Sequence, residues 1–166
     1  MNRTGQGPED LSILTDGSGD GLADLVELWS AAAQAYMNGD LRTYAVLARH
    51  GADYTLMPPF GGDPRRGFDD SDEAVEWTAR TFRGGTADVE VFQTYACGDL
   101  AVVVAVERQH GSVEPLPSQD WSLRVTLVFR RESGAWRLVH RHADPLTRAT
   151  DPELCAAIAR GDHTSS

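Results

Sequence analysis

Two neighbouring segments decide the fold of this chain: Trp121–Arg131, with the sequence WSLRVTLVFRR, and Trp136–Ala143, with the sequence WRLVHRHA. Both are rich in β-branched and aromatic residues, and the first alternates with a period of two, which is typical of a β-strand with two different faces. The link Glu132-Ser133-Gly134 consists of turn residues, so the two segments are predicted to form an antiparallel hairpin.

The same pattern extends towards the N-terminus. Asp88–Tyr95 and Leu100–His110 are also long runs of β-branched and aromatic residues, and turn signals separate them. Four successive strands with short connections predict an antiparallel meander.

Helical periodicity precedes this meander. From Leu22 to Tyr36, apolar residues recur at spacings of three and four, and Gly39 stands at the expected C-cap. Asp40 is predicted to cap a second, shorter helix that ends near Gly51. A short strand, a proline-rich loop and a third helix that begins at Asp70 come next.

The chain ends with one more helix signal, because Asp151-Pro152-Glu153 combines a cap, a first-turn proline and an early acid. We therefore expect residues 1–21 to be a loose leader, residues 22–146 to form one domain, and residues 147–166 to form a helix and tail. The fold class is α+β, a strongly bent antiparallel sheet wrapped around helices.

Composition limits the partners and the chemistry. The chain has 166 residues, enough for one domain, and a net charge of -10, which disfavours nucleic acid and anionic membrane surfaces. All fifteen basic side chains are Arg, so Schiff-base and phosphate-loop lysines are excluded. Two cysteines without a disulfide pattern, and no apolar signal segment, predict a cytoplasmic protein.

Alternation divides the strand Trp121–Arg131 into two faces. If the turn at Ser133 is tight, Thr126 lies near Arg141. One residue of slip reverses this assignment. The expected apolar face carries Leu123, Val125, Leu127, Phe129, Trp136, Leu138, His140 and His142, and the expected polar face carries Arg124, Thr126, Val128, Arg130, Arg137, Val139 and Arg141.

The strand Leu100–His110 is apolar until its last four residues. Parity places either Glu107 and Gln109 or Arg108 and His110 in the interior. We favour the first pair, which would bring the Glu107 carboxylate beside Arg124. The alternative is an ordinary cross-strand ion pair on a solvated face.

The order of elements and the closing segment Gly134–His142 resemble a nuclear transport factor 2-like domain of the SnoaL-like and ketosteroid isomerase-like branch. The resemblance covers Leu22–Leu146, and Arg130–His142 is also similar to the association domain of calcium/calmodulin-dependent protein kinase. It implies a cone-shaped sheet, a cystatin-like roll, which is often dimeric and holds a ligand cavity.

The resemblance implies a small-molecule-binding protein with cofactor-independent acid-base chemistry, of isomerase, cyclase or dehydratase type, on a largely apolar metabolite such as a polyketide. Glu107 would move a proton, Arg124 and Arg141 would hold a developing enolate or a carboxylate, and Tyr54 would donate a hydrogen bond to it. The alternative is a non-catalytic ligand-binding or dimerisation module. The further candidate ligand contacts are Trp77, Gln109, Thr126 and Arg141.

Neither a metal nor an organic cofactor is expected. His140 and His142 have a spacing that metal sites use, and Asp144 follows, but no third ligand is credible. We also expect a homodimer through the sheet, with the apolar set Leu123, Val125, Leu127 and Phe129 at the interface.

Overall fold

The computed structural model describes residues 21–162. The expected leader lies outside the described residues except for Gly21, and so do the last four residues of the tail. The elements are α1 (Leu22–Met37), α2 (Leu41–Ala48), β1 (His50–Met57), β2 (Arg65–Arg66), α3 (Asp72–Thr81), β3 (Phe82–Cys97), β4 (Leu100–Val113), β5 (Gln119–Asp120), β6 (Leu123–Glu132), β7 (Ala135–Pro145) and α4 (Pro152–Arg160).

Side-chain caps begin three of the four helices. The Asp40 carboxylate accepts a hydrogen bond from the Thr43 amide at 2.9 Å at the start of α2, and Asp151 caps α4 in the same way. The predicted cap of α3 is wrong by one residue: the Ser71 hydroxyl, not Asp70, accepts the bond from the Ala74 amide.

The sheet has the strand order β2-β1-β7-β6-β4-β3, and β5 pairs with β4 beside this path. The four long strands β3, β4, β6 and β7 form the expected antiparallel meander. Strand β1 departs from the expectation because it runs parallel to β7. Most of the domain separates β1 from β7 in sequence, so no hairpin imposes an antiparallel direction.

Helix α1 packs into the concave side of the sheet and forms the core. Trp29 is 3% exposed, and its ring lies edge-on to Phe129 with centroids 6.4 Å apart. The inward side chains of the central strands that surround this helix are Ala101, Val103, Ala105, Leu123, Val125, Leu127 and Phe129.

A β-bulge changes the register of the last hairpin. The two-residue turn Ser133-Gly134 pairs Phe129 with Leu138, as a tight turn requires, but Val128 then pairs with His140 and skips Val139. Thr126 therefore lies opposite His142, and the prediction that it lies opposite Arg141 is wrong. The extra residue turns Arg141 into the cone, on the same side as Leu138.

The expected dimer surface is also corrected. Leu123, Val125, Leu127 and Phe129 are at most 6% exposed because α1 covers them, so they cannot contact a second copy. The half-buried residues of the convex face alternate with them: Val102, Val104, Val106, Thr126 and Val128.

No helix among residues 21–162 combines the length and apolar character needed to cross a membrane.

Candidate functional site

A buried carboxylate occupies the middle of the cone. Glu107 is 1% exposed and follows Val103 and Ala105 on the inward side of β4, so the favoured parity is the one observed. Its Oε1 accepts a hydrogen bond from Trp29 Nε1 at 2.9 Å. Its Oε2 accepts from Gln109 Nε2 at 2.9 Å and from Arg141 Nη2 at 2.8 Å. All three partners are donors, which suits an ionised carboxylate.

Arg141 is the charged partner of this carboxylate. Its side chain is 12% exposed, and the guanidinium carbon lies 5.9 Å from the centroid of the Trp29 ring. Burial lowers the pKa of Arg141, but the negative charge of Glu107, which also accepts a hydrogen bond from Arg141, outweighs burial and the net pKa is raised. Arg141 is therefore a permanent cation. Its Nε is buried and has no hydrogen-bond partner within residues 21–162.

Phenol side chains surround the pair. Tyr54, on β1, is 2% exposed, and burial raises its pKa to about 12, an effect that Arg141 opposes and Glu107 reinforces. Burial likewise raises the pKa of Tyr44 well above its ordinary value. Both hydroxyls therefore stay protonated and retain a hydrogen to donate at neutral pH.

His50 lies at the edge of this cluster. Its imidazole stacks on Phe68, with centroids 3.8 Å apart and 6° between planes, and meets Tyr54 edge-on at 4.5 Å. Burial, reinforced by the positive charge of Arg141, lowers the pKa of His50 to about 4, so the ring is neutral at pH 7. Its Nε2 is buried and makes no hydrogen bond within the described part of the chain.

The predicted pairing of Glu107 with Arg124 is wrong. Arg124 pairs across the sheet with Val106, so its side chain and that of Glu107 leave opposite faces. The Arg124 side chain is 59% exposed and lies 3.9 Å from Asp144. Thr126 shares this convex face, opposite His142.

Trp77 is also separate from the buried cluster. It is 48% exposed on α3, and its ring lies edge-on to Phe82 at 6.0 Å. Of the predicted site residues, the structure thus brings together Glu107, Gln109, Arg141 and Tyr54 and leaves Trp77, Arg124 and Thr126 outside.

His140 and His142 lie on the convex face, not on the face of Leu138 as expected, because the bulge at Val139 moves them. His140 Nδ1 lies 2.8 Å from the Thr55 hydroxyl, and His142 Nε2 lies 3.6 Å from Asp144. Among residues 21–162, no group of three or more His, Cys, Asp or Glu side chains is arranged to hold a metal ion.

Residues 25–146 match the family model of the SnoaL-like domain. This chain belongs to the SnoaL-like domain family. A search of curated proteins finds no match to it.

Solved structures share the fold of this SnoaL-like domain. A nuclear transport factor 2-like superfamily protein from Salmonella enterica is similar with a TM-score of 0.62 and 16% identity, over 79% of this chain and 94% of that one. A candidate dehydratase of the nuclear transport factor 2-like family from Streptomyces avermitilis has a TM-score of 0.55 and 21% identity, over 76% and 97%. The hub of calcium/calmodulin-dependent protein kinase II from S. rosetta has a TM-score of 0.57 and 16% identity, over 74% and 95%.

Two residues of the buried site in this SnoaL-like domain, Trp29 and His50, are not among those predicted from the sequence. Trp29 falls within the predicted helix and is not among the predicted site residues, although the indole Nε1 of a buried Trp usually has an acceptor, which here is Glu107. His50 was not predicted because it stands at the first residue of β1, just after α2, where no alternation of polar and apolar residues indicates its face. A lone polar residue at the buried start of a strand was the available signal.

Proposed function

We propose that this SnoaL-like domain binds a small, largely apolar metabolite and performs cofactor-independent acid-base chemistry of isomerase, cyclase or dehydratase type. The carrying observation is the 2.8 Å contact between Glu107 and Arg141 inside a shell of neutral phenols. A carboxylate can accept a proton from carbon, and a neighbouring cation can stabilise the negative charge that the substrate then carries. Burial strengthens both effects because water does not screen them.

Each residue of the cluster has a role in this proposal. Glu107 transfers the proton, and Gln109 is a positioning residue that holds Oε2. The buried Nε of Arg141 donates to a carbonyl oxygen of the substrate. Gln109 is more exposed than Trp29, so the substrate approaches Oε2 from the side of Gln109.

Hydrogen exchange at carbon tests the acid-base step directly. The protein is incubated in D2O with a panel of apolar ketones, and deuterium incorporation beside the carbonyl is followed by NMR. We expect Glu107→Gln to lower the exchange rate by about 10²-fold to 10⁴-fold, since it removes the base and keeps the shape. Glu90→Gln is the matched control because Glu90 pairs with Arg108 at the exposed surface. Equal rates in wild type and Glu107→Gln would contradict the proposed base.

An association module is the second candidate function. The half-buried valines of the convex face favour it, and several similar structures are described as association domains or hubs of the kinase. We propose a two-fold homodimer through the surface formed by Val102, Val104, Val106, Thr126 and Val128.

Light scattering at tens of micromolar tests this dimer. We expect the wild type to have the mass of a dimer and Val104→Asp to be monomeric, because a carboxylate at the centre of the interface loses its water. Leu116→Asp is the control, since Leu116 is 50% exposed and lies in the loop between β4 and β5, outside the strand segments that form the proposed interface. A monomeric wild type would refute the dimer and leave the proton-transfer experiment unaffected.

The cytoplasm is the compartment that we propose for this protein. Cys97 and Cys155 are both exposed and free. Exposed thiols persist in a reducing compartment and oxidise outside it.

A further inference from the structure

A cavity lies beside the junction of α2, β1 and the β6–β7 turn. Its volume is about 630 Å³, and it is open to solvent. His50 is part of its wall, but Glu107 and Arg141 are not, so the cavity is distinct from the proposed catalytic cluster.

Two arginines give this cavity its charge. Arg49 and Arg137 both line it, and within residues 21–162 neither side chain has a hydrogen-bond or ion-pair partner. The Leu138 amide donates to the Arg49 carbonyl oxygen at 3.1 Å, which places Arg49 beside the strand that carries Arg137. Among residues 21–162, Asp70 is the one carboxylate in the wall, so this lining carries a net positive charge in a chain whose net charge is -10.

The backbone at Arg49 is a second, independent observation. Arg49 is the C-cap of α2 and has a φ of 50°, in the left-handed region where Gly or Asn is usual. Arginine is less favourable than Gly in this backbone conformation. Unlike Gly, it places a guanidinium at the cavity.

The remaining wall is apolar and flat. The stacked rings of Phe68 and His50 form one side, and Ala45, Val46 and Ala52 contribute aliphatic surface. His50 is neutral at pH 7, so it adds surface and no charge. A planar guanidinium binds a carboxylate through two parallel hydrogen bonds, and a flat apolar wall accommodates an unsaturated or aromatic body.

We propose that this cavity binds a small organic acid, with its carboxylate on Arg49 and Arg137 and its apolar body against Phe68. This assignment goes beyond the proposed acid-base function, because the cavity is lined by neither Glu107 nor Arg141 and needs no reaction at Glu107.

Benzoate is the probe, and benzyl alcohol is the neutral probe of the same size. Binding to the full chain is measured by NMR chemical-shift titration at pH 7.5 and low salt. We expect benzoate to bind at least tenfold more tightly than benzyl alcohol, and Arg49→Gln and Arg137→Gln each to weaken benzoate binding about tenfold or more. Ala52→Trp, which fills the cavity from an exposed strand position, is expected to abolish binding.

Arg148→Gln is the matched control, since it removes one positive charge from an exposed position outside the cavity. It is expected to leave benzoate binding unchanged. The proposal would be overturned by equal binding of benzyl alcohol or by equal weakening in Arg148→Gln. It would also be overturned if no benzoate binding were detected at 20 mM, a concentration that roughly marks the weakest dissociation constant of a specific site. Glu107→Gln is expected to bind benzoate normally, so this site and the proposed catalytic site fail separately.

Discussion

Two ion pairs of this domain have the same shortest N···O distance and different surroundings. Arg141 lies 2.8 Å from Glu107 inside the cone, where the two side chains are 12% and 1% exposed. Arg130 lies 2.8 Å from Asp53 on the convex side, where the side chains are 38% and 61% exposed. Water screens the outer pair, whereas each member of the inner pair depends on the other for the energy of its burial. Distance alone therefore does not rank the two pairs.

Removal of the Arg141 guanidinium is expected to change stability more than any other substitution considered for these two pairs. We expect Arg141→Met to lower the free energy of unfolding by about 3–5 kcal/mol, because Glu107 is left buried with a charge and no cation. Urea denaturation of purified protein measures the loss. The double variant Glu107→Leu with Arg141→Met is expected to recover much of this stability, since it removes both charges.

The outer pair supplies the control for that experiment. Arg130→Met is expected to cost no more than about 1 kcal/mol, although Arg130 pairs with both Asp53 and Glu132, because these side chains are partly solvated. An equal loss of stability in Arg130→Met and Arg141→Met would show that burial does not distinguish the two faces.

Burial of His50 is expected to make the stability of the domain depend on pH in the acid range. Its pKa is lowered from 6.5 to about 4, so the folded state binds the proton more weakly than the unfolded state. The resulting stability is present above pH 6.5 and is lost as pH falls towards 4, by up to about 1.4 kcal/mol per pH unit. We expect His50→Phe to lose less stability than wild type in urea unfolding measured from pH 7 to pH 4. His142→Asn, at an exposed position on the convex face, should follow the wild-type curve.

The sequence predicts the register of the β6–β7 hairpin as far as one residue, Val139, where the structure has a β-bulge. Strand alternation left two pairs for the interior of β4, and the favoured pair, Glu107 and Gln109, is the one observed. The Ser133-Gly134 turn predicts the observed register as far as Phe129. The bulge at Val139 has no composition signal, because Val is an ordinary strand residue and no Gly marks the site. Everything beyond the bulge was therefore shifted to the wrong face, including Arg141.

Parity also explains why Arg124 was preferred to Arg141 as the partner of Glu107. Both lie on strands of the meander, and alternation alone does not say which face α1 covers. That choice depends on contacts between residues distant in sequence, such as Trp29 with Glu107, 78 residues apart. The caps of α2 and α4 were predictable because they depend on neighbours three residues away.

The hydrogen bond from the Trp29 indole to Glu107 is expected to contribute less to stability than the ion pair with Arg141. Trp29→Phe keeps most of the packing and removes the donor to Glu107 Oε1. We expect a loss of about 1.5–3 kcal/mol in unfolding free energy, the range for hydrogen bonds to charged groups. Trp121→Phe removes a donor to the neutral carbonyl oxygen of Gly111 and should cost less, about 0.5–1.5 kcal/mol. Urea denaturation measures the loss of unfolding free energy in both variants. A larger loss in Trp121→Phe would contradict the expectation that the hydrogen bond to the buried carboxylate is the stronger one.

The smallest expected effect belongs to Arg124. Its guanidinium is 3.9 Å from Asp144 and its side chain is 59% exposed, so Arg124→Gln should change the unfolding free energy by less than about 0.5 kcal/mol. The difference should shrink further in 1 M NaCl, because salt screens exposed charges over about 3 Å. If Arg124 instead neutralised Glu107, the same variant would unfold several kcal/mol more easily, and salt would hardly change that loss. Urea denaturation of wild type and Arg124→Gln at both salt concentrations therefore separates a convex-face arginine from one that enters the cone.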